Sequence, residues 1–126
     1  MQLTTRPIRV LIVDDQEPFR SAARLVVGLV DGFEVAAEAA TGEEAVVLAG
    51  ELMPDLILMD INLPGIDGLE ATRQVLSTLP DAKVIVMSTY EAGEYEQRAL
   101  DAGAVAFISK SEFDPDSLTG HWLQEG

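Results

Sequence analysis

The sequence contains no cysteine, so disulfide bonds, thiolate metal sites and a cysteine nucleophile are excluded. It also lacks any stretch close to the roughly 18 apolar residues that a membrane-spanning helix needs. No early apolar run with a basic flank marks a secretory signal. We therefore expect a soluble, cytoplasmic protein that makes no membrane contact.

Basic residues are scarce, since the chain has 8 Lys and Arg against 22 Asp and Glu and a formal net charge of −14. A domain this acidic repels nucleic-acid phosphates and anionic lipids, so direct nucleic-acid binding is not expected. Most of the carboxylates are expected to serve solubility, and a few of them to hold a divalent cation.

The length of 126 residues fits one domain, and a hydrophobic content of 48% is enough for a buried core. We predict a short N-terminal leader over residues 1–7 and a single folded domain over residues 8–126.

Five short apolar runs, bounded by Asp, Gly, Pro or Lys, are typical of buried strands. They cover residues 8–13, 33–37, 56–59, 84–87 and 105–108. Amphipathic stretches lie between them, and the first of these carries the apolar residues Phe19, Ala22, Ala23, Val26, Leu29 and Val30. Thr41 and Glu44 resemble a capping box for the second helix. The alternation predicts an α/β fold, (βα)₅, with a parallel sheet covered on both faces.

Polar residues end four of the five predicted strands. These residues are Asp14 and Asp15, then Asp60, then Ser88 and Thr89, and finally Ser109 and Lys110. In a doubly wound sheet the carboxyl ends of the strands form the ligand site, so these groups are expected to converge.

Three adjacent carboxylates repel one another unless a cation shares them, and oxygen ligands alone suit Mg²⁺ or Mn²⁺. A carboxylate can also act as a nucleophile and form an aspartyl phosphate, with a lysine offsetting the charge. A single Asp at a strand end is more often an Asx-turn or a helix cap, and Asp14 or Asp15 could cap a helix that starts near Gln16.

With these groups in place, the chain resembles the receiver domains of two-component response regulators. The similarity runs from about Ile8 to Leu118. It is carried by the segments VLIVDD at 10–15, PDLILMDINLPGIDG at 54–68, VIVMS at 84–88 and GAVAFISK at 103–110. The resemblance implies a flavodoxin-like five-stranded sheet with strand order 2-1-3-4-5.

The resemblance also implies a magnesium-dependent phosphoacceptor. Asp60 would accept the phosphoryl group from the phosphohistidine of a sensor histidine kinase, with Lys110 pairing with that group. Asp15, Asp60 and the backbone carbonyl of Asn62 would bind the ion directly, and Asp14 mainly through a water. Such a domain is not an enzyme, because it catalyses only its own phosphorylation and dephosphorylation.

Other positions would transmit the signal. Ser88 would be the switch hydroxyl and Phe107 the switch aromatic, although Phe107 is equally well explained as a core residue. Asn62 and Tyr90 occupy the positions that tune the lifetime of the phosphate. The change would appear on the face of the fourth helix, fifth strand and fifth helix and control an output domain or partner. A homodimer through that face, or through the first and fifth helices, is possible.

Three features depart from the commonest receiver pattern. Lys110 is followed by Ser111 instead of proline, as in many receivers of the NarL type that precede a DNA-binding output domain. Phe107 lacks the hydroxyl of tyrosine, and the sequence ends at Gly126 without a basic recognition helix. Either the chain is a stand-alone receiver, or an output domain has been cut away. In the second case a role in transcription regulation is expected through that output domain. The lone His121 is expected to be a packing residue near Trp122.

Two alternatives remain. A degenerate receiver would act as a phosphorylation-independent interaction module, and the Lys110–Ser111 junction keeps this possibility open. A magnesium-dependent aspartyl-phosphate phosphatase would share the nucleophile. Such enzymes place the nucleophile and a second Asp just after the first strand, but here the paired Asp14 and Asp15 lack the Thr expected to follow. The chain is also too short to include the cap domain that holds their substrate.

Overall fold

The computed structural model describes residues 6–89 and 93–123, in which five strands alternate with five helices. The strands are β1 (Ile8–Val13), β2 (Phe33–Ala39), β3 (Leu56–Asp60), β4 (Lys83–Ser88) and β5 (Ala106–Ser109). The helices are α1 (Glu17–Gly28), α2 (Gly42–Leu52), α3 (Gly68–Thr78), α4 (Gly93–Asp101) and α5 (Pro115–Leu123). Among these helices none is long and apolar enough to cross a membrane.

All neighbouring strands run parallel, in the order β2-β1-β3-β4-β5. This order confirms the fold that the sequence predicts. Val13 at the end of β1 pairs with Met59 in β3, and Asp60 pairs with Met87 in β4. The polar residues that end these strands therefore meet at one edge of the sheet, because parallel strands share their carboxyl ends.

The buried strand residues point alternately into two apolar layers, as the two-residue period of a strand requires. One layer holds Leu11 and Val13 and is covered by α2, α3 and α4. The other holds Val10 and Ile12 and is covered by α1 and α5. Because both faces of the sheet are covered, the strands are nearly continuous apolar runs.

The capping box predicted for α2 is present. The Glu44 backbone N–H donates to the Thr41 hydroxyl oxygen over 3.0 Å. The Glu44 carboxylate accepts from the backbone N–H of Ala40 at 2.8 Å, one residue before the position that the motif predicts. Both bonds satisfy backbone donors near the start of the helix.

The apolar stripe predicted for α1 is partly wrong. Of its predicted members Ala23 is buried, whereas Ala22 is exposed and Leu29 is 65% exposed. Val27, which the prediction left out, is also buried. The helix ends at Gly28, so Leu29 is its C-cap and no longer follows the helical spacing.

Candidate functional site

Two carboxylates follow β1 and lie at the edge of the sheet. Asp14 is fully buried, and its backbone N–H continues the ladder by donating to the carbonyl of Ala39 at 3.0 Å. Its Oδ1 accepts from the backbone N–H of Gln16 at 2.8 Å, which forms an Asx-turn. Asp15 is exposed. The helix cap proposed for these residues is not made, because the N-cap of α1 is Gln16 and its first turn has no side-chain cap.

The third carboxylate, Asp60, ends β3 and is only 4% exposed. Its Oδ1 lies 3.4 Å from the backbone nitrogen of Asn62, which is a weak contact. Asp14, Asp15 and Asp60 each offer an oxygen, and these oxygens all lie within 4.8 Å of one another. The sequence predicted that these three carboxylates converge, and the structure brings their oxygens together.

Lys110 supplies the cation of this cluster. It follows β5 in a short 3₁₀ turn, Lys110–Glu112, where the receiver pattern more often has proline after the lysine. Its Nζ lies 2.5 Å from Asp14 Oδ2 and 3.4 Å from Asp60 Oδ1. The ammonium also sits 4.6 Å from the centre of the Phe19 ring in α1. The altered junction therefore does not displace the lysine.

Burial and the neighbouring charges shift the pKa of Asp60. Burial has the largest effect and raises the pKa of Asp60 from 3.8 to about 6. The negative charge of Asp14 adds to the rise, and the Lys110 ammonium opposes it. The carboxyl group is thus mostly ionised at neutral pH, but its anion is less stable than that of an exposed aspartate.

The donor set fits a hard divalent cation. All three side-chain ligands are carboxylates, and neither His nor Cys belongs to the group. The one lysine neutralises only part of their charge. Since Asp15 is exposed while Asp14 and Asp60 are buried, the cluster is open to solvent on one side, where water or phosphate oxygens could complete the coordination of Mg²⁺.

The residues expected to transmit a signal lie on the neighbouring strands. Ser88 ends β4, is fully buried and pairs in register with Ser109. Phe107 is 8% exposed and belongs to the apolar layer beneath α4, so it is a core aromatic in this structure. A cavity of about 630 Å³ lies beside it, and its lining includes Thr89 and Glu96. Tyr90 lies outside the described residues.

The loop after β3 is fixed by residues that the sequence did not single out. A Cβ at Gly68 would collide with the carbonyl oxygen of Asp60, so only glycine allows α3 to start this close to the site. The carboxylate of Glu43 in α2 accepts from the backbone N–H of Ile66 at 3.1 Å. The glycine in the motif was visible in the sequence, but its close approach to Asp60 was not.

Arg20 in α1 was also missed. Its Nη1 donates to the backbone carbonyl of Asp14 at 2.7 Å, and its Nε lies 3.3 Å from the carboxylate of Glu38 in β2. Nothing in the sequence distinguishes this arginine near a helix start from an ordinary surface residue.

His121 and Trp122 are not part of the cluster. His121 is half-buried on α5, in keeping with a packing residue. The Trp122 ring meets Phe33 edge-on at 6.0 Å and lies 4.7 Å from Lys83 Nζ. The Trp122 side chain therefore packs against β2 and β4.

Comparison with known proteins gives one consistent family. The family model of the response regulator receiver domain matches residues 10–122. Response regulator GacA from Pseudomonas viridiflava is 43% identical over 103 residues, which are 82% of this chain and 48% of that protein. The chain spans about half the length of the curated relatives it matches.

Solved structures agree with this likeness. A two-component response regulator of the LuxR family from Aurantimonas sp. SI85-9A1 has a TM-score of 0.83 and 32% identity, over 90% of this chain and 81% of that chain. A chain of the CheX-CheY-BeF3-Mg complex from Borrelia burgdorferi has a TM-score of 0.81 and 28% identity, over 94% and 88% of the two chains. The LuxR-family match agrees with the NarL-type subgroup predicted from the sequence.

Proposed function

The chain belongs to the response regulator receiver domain family of two-component phosphorelay signalling, and we propose that Asp60 is its phosphoacceptor. The observation that carries this proposal is the position of the Lys110 ammonium, which faces Asp60 Oδ1 at 3.4 Å and Asp14 Oδ2 at 2.5 Å. A buried carboxylate with a fixed cation beside it is a suitable nucleophile for a phosphoryl group.

In the proposed reaction, an Asp60 oxygen attacks the phosphorus of a phosphohistidine on a sensor histidine kinase. A P–O bond to Asp60 forms while the P–N bond to the histidine breaks, and the electron pair leaves with the imidazole, which takes up a proton. Lys110 is already placed to offset negative charge on the phosphoryl oxygens. Because its only substrate is its own carboxylate, the domain is a signalling switch and not an enzyme.

Asp15, Asp60 and the carbonyl of Asn62 are the proposed direct ligands of Mg²⁺, with Mn²⁺ as a substitute, and Asp14 acts mainly through a water. When bound, the ion offsets the charge of the carboxylates and of the phosphoryl oxygens. The related structure from Borrelia burgdorferi is a complex with BeF3 and Mg²⁺, which supports this assignment by likeness.

Signal transmission is proposed to start at Ser88, whose hydroxyl would be drawn toward the phosphoryl group. Phe107, one β-strand away, would then shift within its apolar layer and use the adjoining cavity. The phosphate would thus bias two packings of the α4-β5-α5 face, which a partner, a second copy or an output domain would detect. Asn62 and Tyr90 are proposed to tune the lifetime of the phosphate.

The relatives named as transcriptional regulators are about twice as long as this chain. We propose that the domain controls transcription through an output domain or a partner and makes no nucleic-acid contact of its own. The proposed location is the cytoplasm, and the proposed domain covers residues 8–126 after a leader of residues 1–7.

The test is incubation with acetyl phosphate and Mg²⁺, followed by the intact mass of the protein. The wild type should gain one phosphoryl group, Asp60→Asn should gain none, and Asp101→Asn, which changes an exposed carboxylate on α4, should behave as the wild type. An adduct that persists in Asp60→Asn would overturn the assignment. A wild type that is not modified by this donor or by a histidine kinase would favour the phosphorylation-independent module.

A further inference from the structure

Asp15 presents a carboxylate at the site with little to hold it in place. The residue is exposed, and its side-chain contact among the described groups is a long one, 3.4 Å from Gln16 Nε2 to Oδ2. Asp14 and Asp60, in contrast, are buried and ion-paired with Lys110. The direction of the Asp15 side chain must therefore be set mainly by its backbone.

Arg20 fixes that backbone. Its Nη1 donates to the Asp14 carbonyl at 2.7 Å. That carbonyl belongs to the peptide group that joins Asp14 to Asp15. Because the peptide group is planar, a fixed carbonyl direction also fixes the N–H and the Cα of Asp15. The side chain of Asp15 starts from that Cα, so the hydrogen bond limits where its carboxylate can lie.

The guanidinium of Arg20 is itself held on two other sides. Its Nε lies 3.3 Å from Glu38 Oε1 in β2, and its Nη2 lies 3.5 Å from Glu17 Oε2 in α1. The Arg20 side chain is only 18% exposed. A planar guanidinium can make these contacts at once in a fixed geometry, which a lysine ammonium cannot.

We propose that Arg20, held by Glu38, is a positioning residue that aims Asp15 at the cation. This inference rests on the proposed function, in which Asp15 binds Mg²⁺ directly. It extends that function to a residue that touches neither the ion nor the phosphoryl group. Groups that orient a metal ligand from outside commonly change metal affinity by 10–100-fold when they are removed.

The direction of the change in Mg²⁺ affinity on removal of Arg20 distinguishes positioning of Asp15 from a simple electrostatic effect. Arg20 carries a positive charge close to the proposed ion, so removing that charge alone should strengthen Mg²⁺ binding. If Arg20 positions Asp15, its removal should instead weaken Mg²⁺ binding.

Arg24 is the matched control. Like Arg20 it lies on α1 and pairs with Glu38 and Glu17, with Nη1 at 2.6 Å from Glu38 Oε2 and 3.9 Å from Glu17 Oε2. Among the described contacts, it makes none with the Asp14 carbonyl. Arg24→Ala therefore removes the same charge and a similar ion pair without touching the Asp14–Asp15 peptide.

The experiment measures Mg²⁺ affinity by calorimetry for the wild type, Arg20→Ala, Arg20→Lys and Arg24→Ala, with thermal unfolding to confirm that each variant folds. We expect Arg20→Ala to bind Mg²⁺ about tenfold more weakly. Arg20→Lys should lose a smaller part of the affinity although it keeps the charge. Arg24→Ala should stay within about twofold of the wild type or bind slightly more tightly.

Unchanged or stronger binding by Arg20→Ala, or an equal loss in Arg24→Ala, would overturn the inference. A measurement without metal tests the inference about Arg20 independently of the proposed function. The NMR order parameter of the Asp15 backbone N–H should be lower in Arg20→Ala and unchanged in Arg24→Ala. If the wild type binds no Mg²⁺, the proposed function fails, and this order-parameter comparison alone decides whether Arg20 orders the backbone of Asp15.

Discussion

The ammonium of Lys110 lies 3.4 Å from Oδ1 of Asp60, although Asp60 ends β3 and Lys110 follows β5. The sheet order produces this pair, because β4 alone separates β3 from β5. The lysine charge thus stabilises the Asp60 carboxylate and would lie beside any group transferred to Asp60.

Replacement of Asp60 by asparagine should change stability in a pH-dependent way. The pKa of Asp60 rises from 3.8 to about 6 on folding, so the native state holds the proton more tightly than the unfolded state. The free energy of unfolding of the wild type should therefore fall as pH rises from about 4 to 6 and then level off. Asp60→Asn, which has no such ionisation, should be more stable than the wild type at pH 8 by up to about 3 kcal/mol.

Urea unfolding of both proteins across this pH range checks the result, with Asp101→Asn as a control for an exposed carboxylate. The advantage of Asp60→Asn should shrink as the pH drops below about 6. An advantage that is independent of pH, or a loss of stability at pH 8, would contradict the burial cost assigned to Asp60.

Removal of the Lys110 charge should raise the pKa of Asp60 further. The ammonium is the main group that lowers this pKa, so in Lys110→Met only the backbone N–H of Asn62 still opposes burial and the Asp14 charge. Carbon-detected NMR titration of the Asp60 carboxyl group should show a midpoint above that of the wild type. Phosphorylation by acetyl phosphate at pH 7 should slow on the order of 100-fold. A lower midpoint, or an unchanged rate, would show that the lysine does not act on Asp60.

Substitution of Gly68 by alanine should destabilise the domain by about 3 kcal/mol. The added methyl group would overlap the Asp60 carbonyl and approach the Ile61 Cα, and both are backbone atoms that cannot rotate away. Gly50→Ala in α2 is the control, since nothing lies within 4 Å of its Cβ position. That change should stabilise the helix by about 0.5–1 kcal/mol. Equal effects in chemical denaturation would show that the contact at Gly68 is easily relieved.

Loss of the hydroxyl of Thr41 should cost about 1 kcal/mol of unfolding free energy. In Thr41→Ala the Glu44 N–H loses its acceptor at the start of α2. Thr41→Ser keeps the oxygen and should retain most of the stability, as measured by urea unfolding. If serine and alanine destabilise equally, the methyl group of Thr41 and not its hydroxyl stabilises this position.

Local sequence patterns predicted the alternating α/β fold and the charged centre of the site, whereas the strand order came from the resemblance to receiver domains. β3 is buried along its whole length and β5 along all but its last residue. Their apolar runs, and the charged residues Asp60 and Lys110 that end or follow them, were therefore visible as breaks in hydrophobicity. The stripe on α1 was partly wrong at Leu29, because spacing alone cannot show where a helix ends.

The supporting residues could not be predicted in the same way. Arg20 acts through a backbone carbonyl and a carboxylate on β2, and Glu43 through a backbone N–H in the loop after β3. Such contacts depend on how separate elements pack, and neither residue interrupts a periodic pattern. The need for glycine at position 68 follows from the short distance between α3 and the end of β3, which is known only once the fold is assembled.

The assignment of Asp60 as the phosphoacceptor is tested most directly by locating the phosphoryl group on the chain. The protein would be phosphorylated with acetyl phosphate and Mg²⁺, reduced with borohydride to convert the aspartyl phosphate to homoserine, and sequenced as peptides by mass spectrometry. The proposed function predicts homoserine at position 60. Homoserine at Asp14 or Asp15 instead, or none in a protein shown to be phosphorylated, would contradict it.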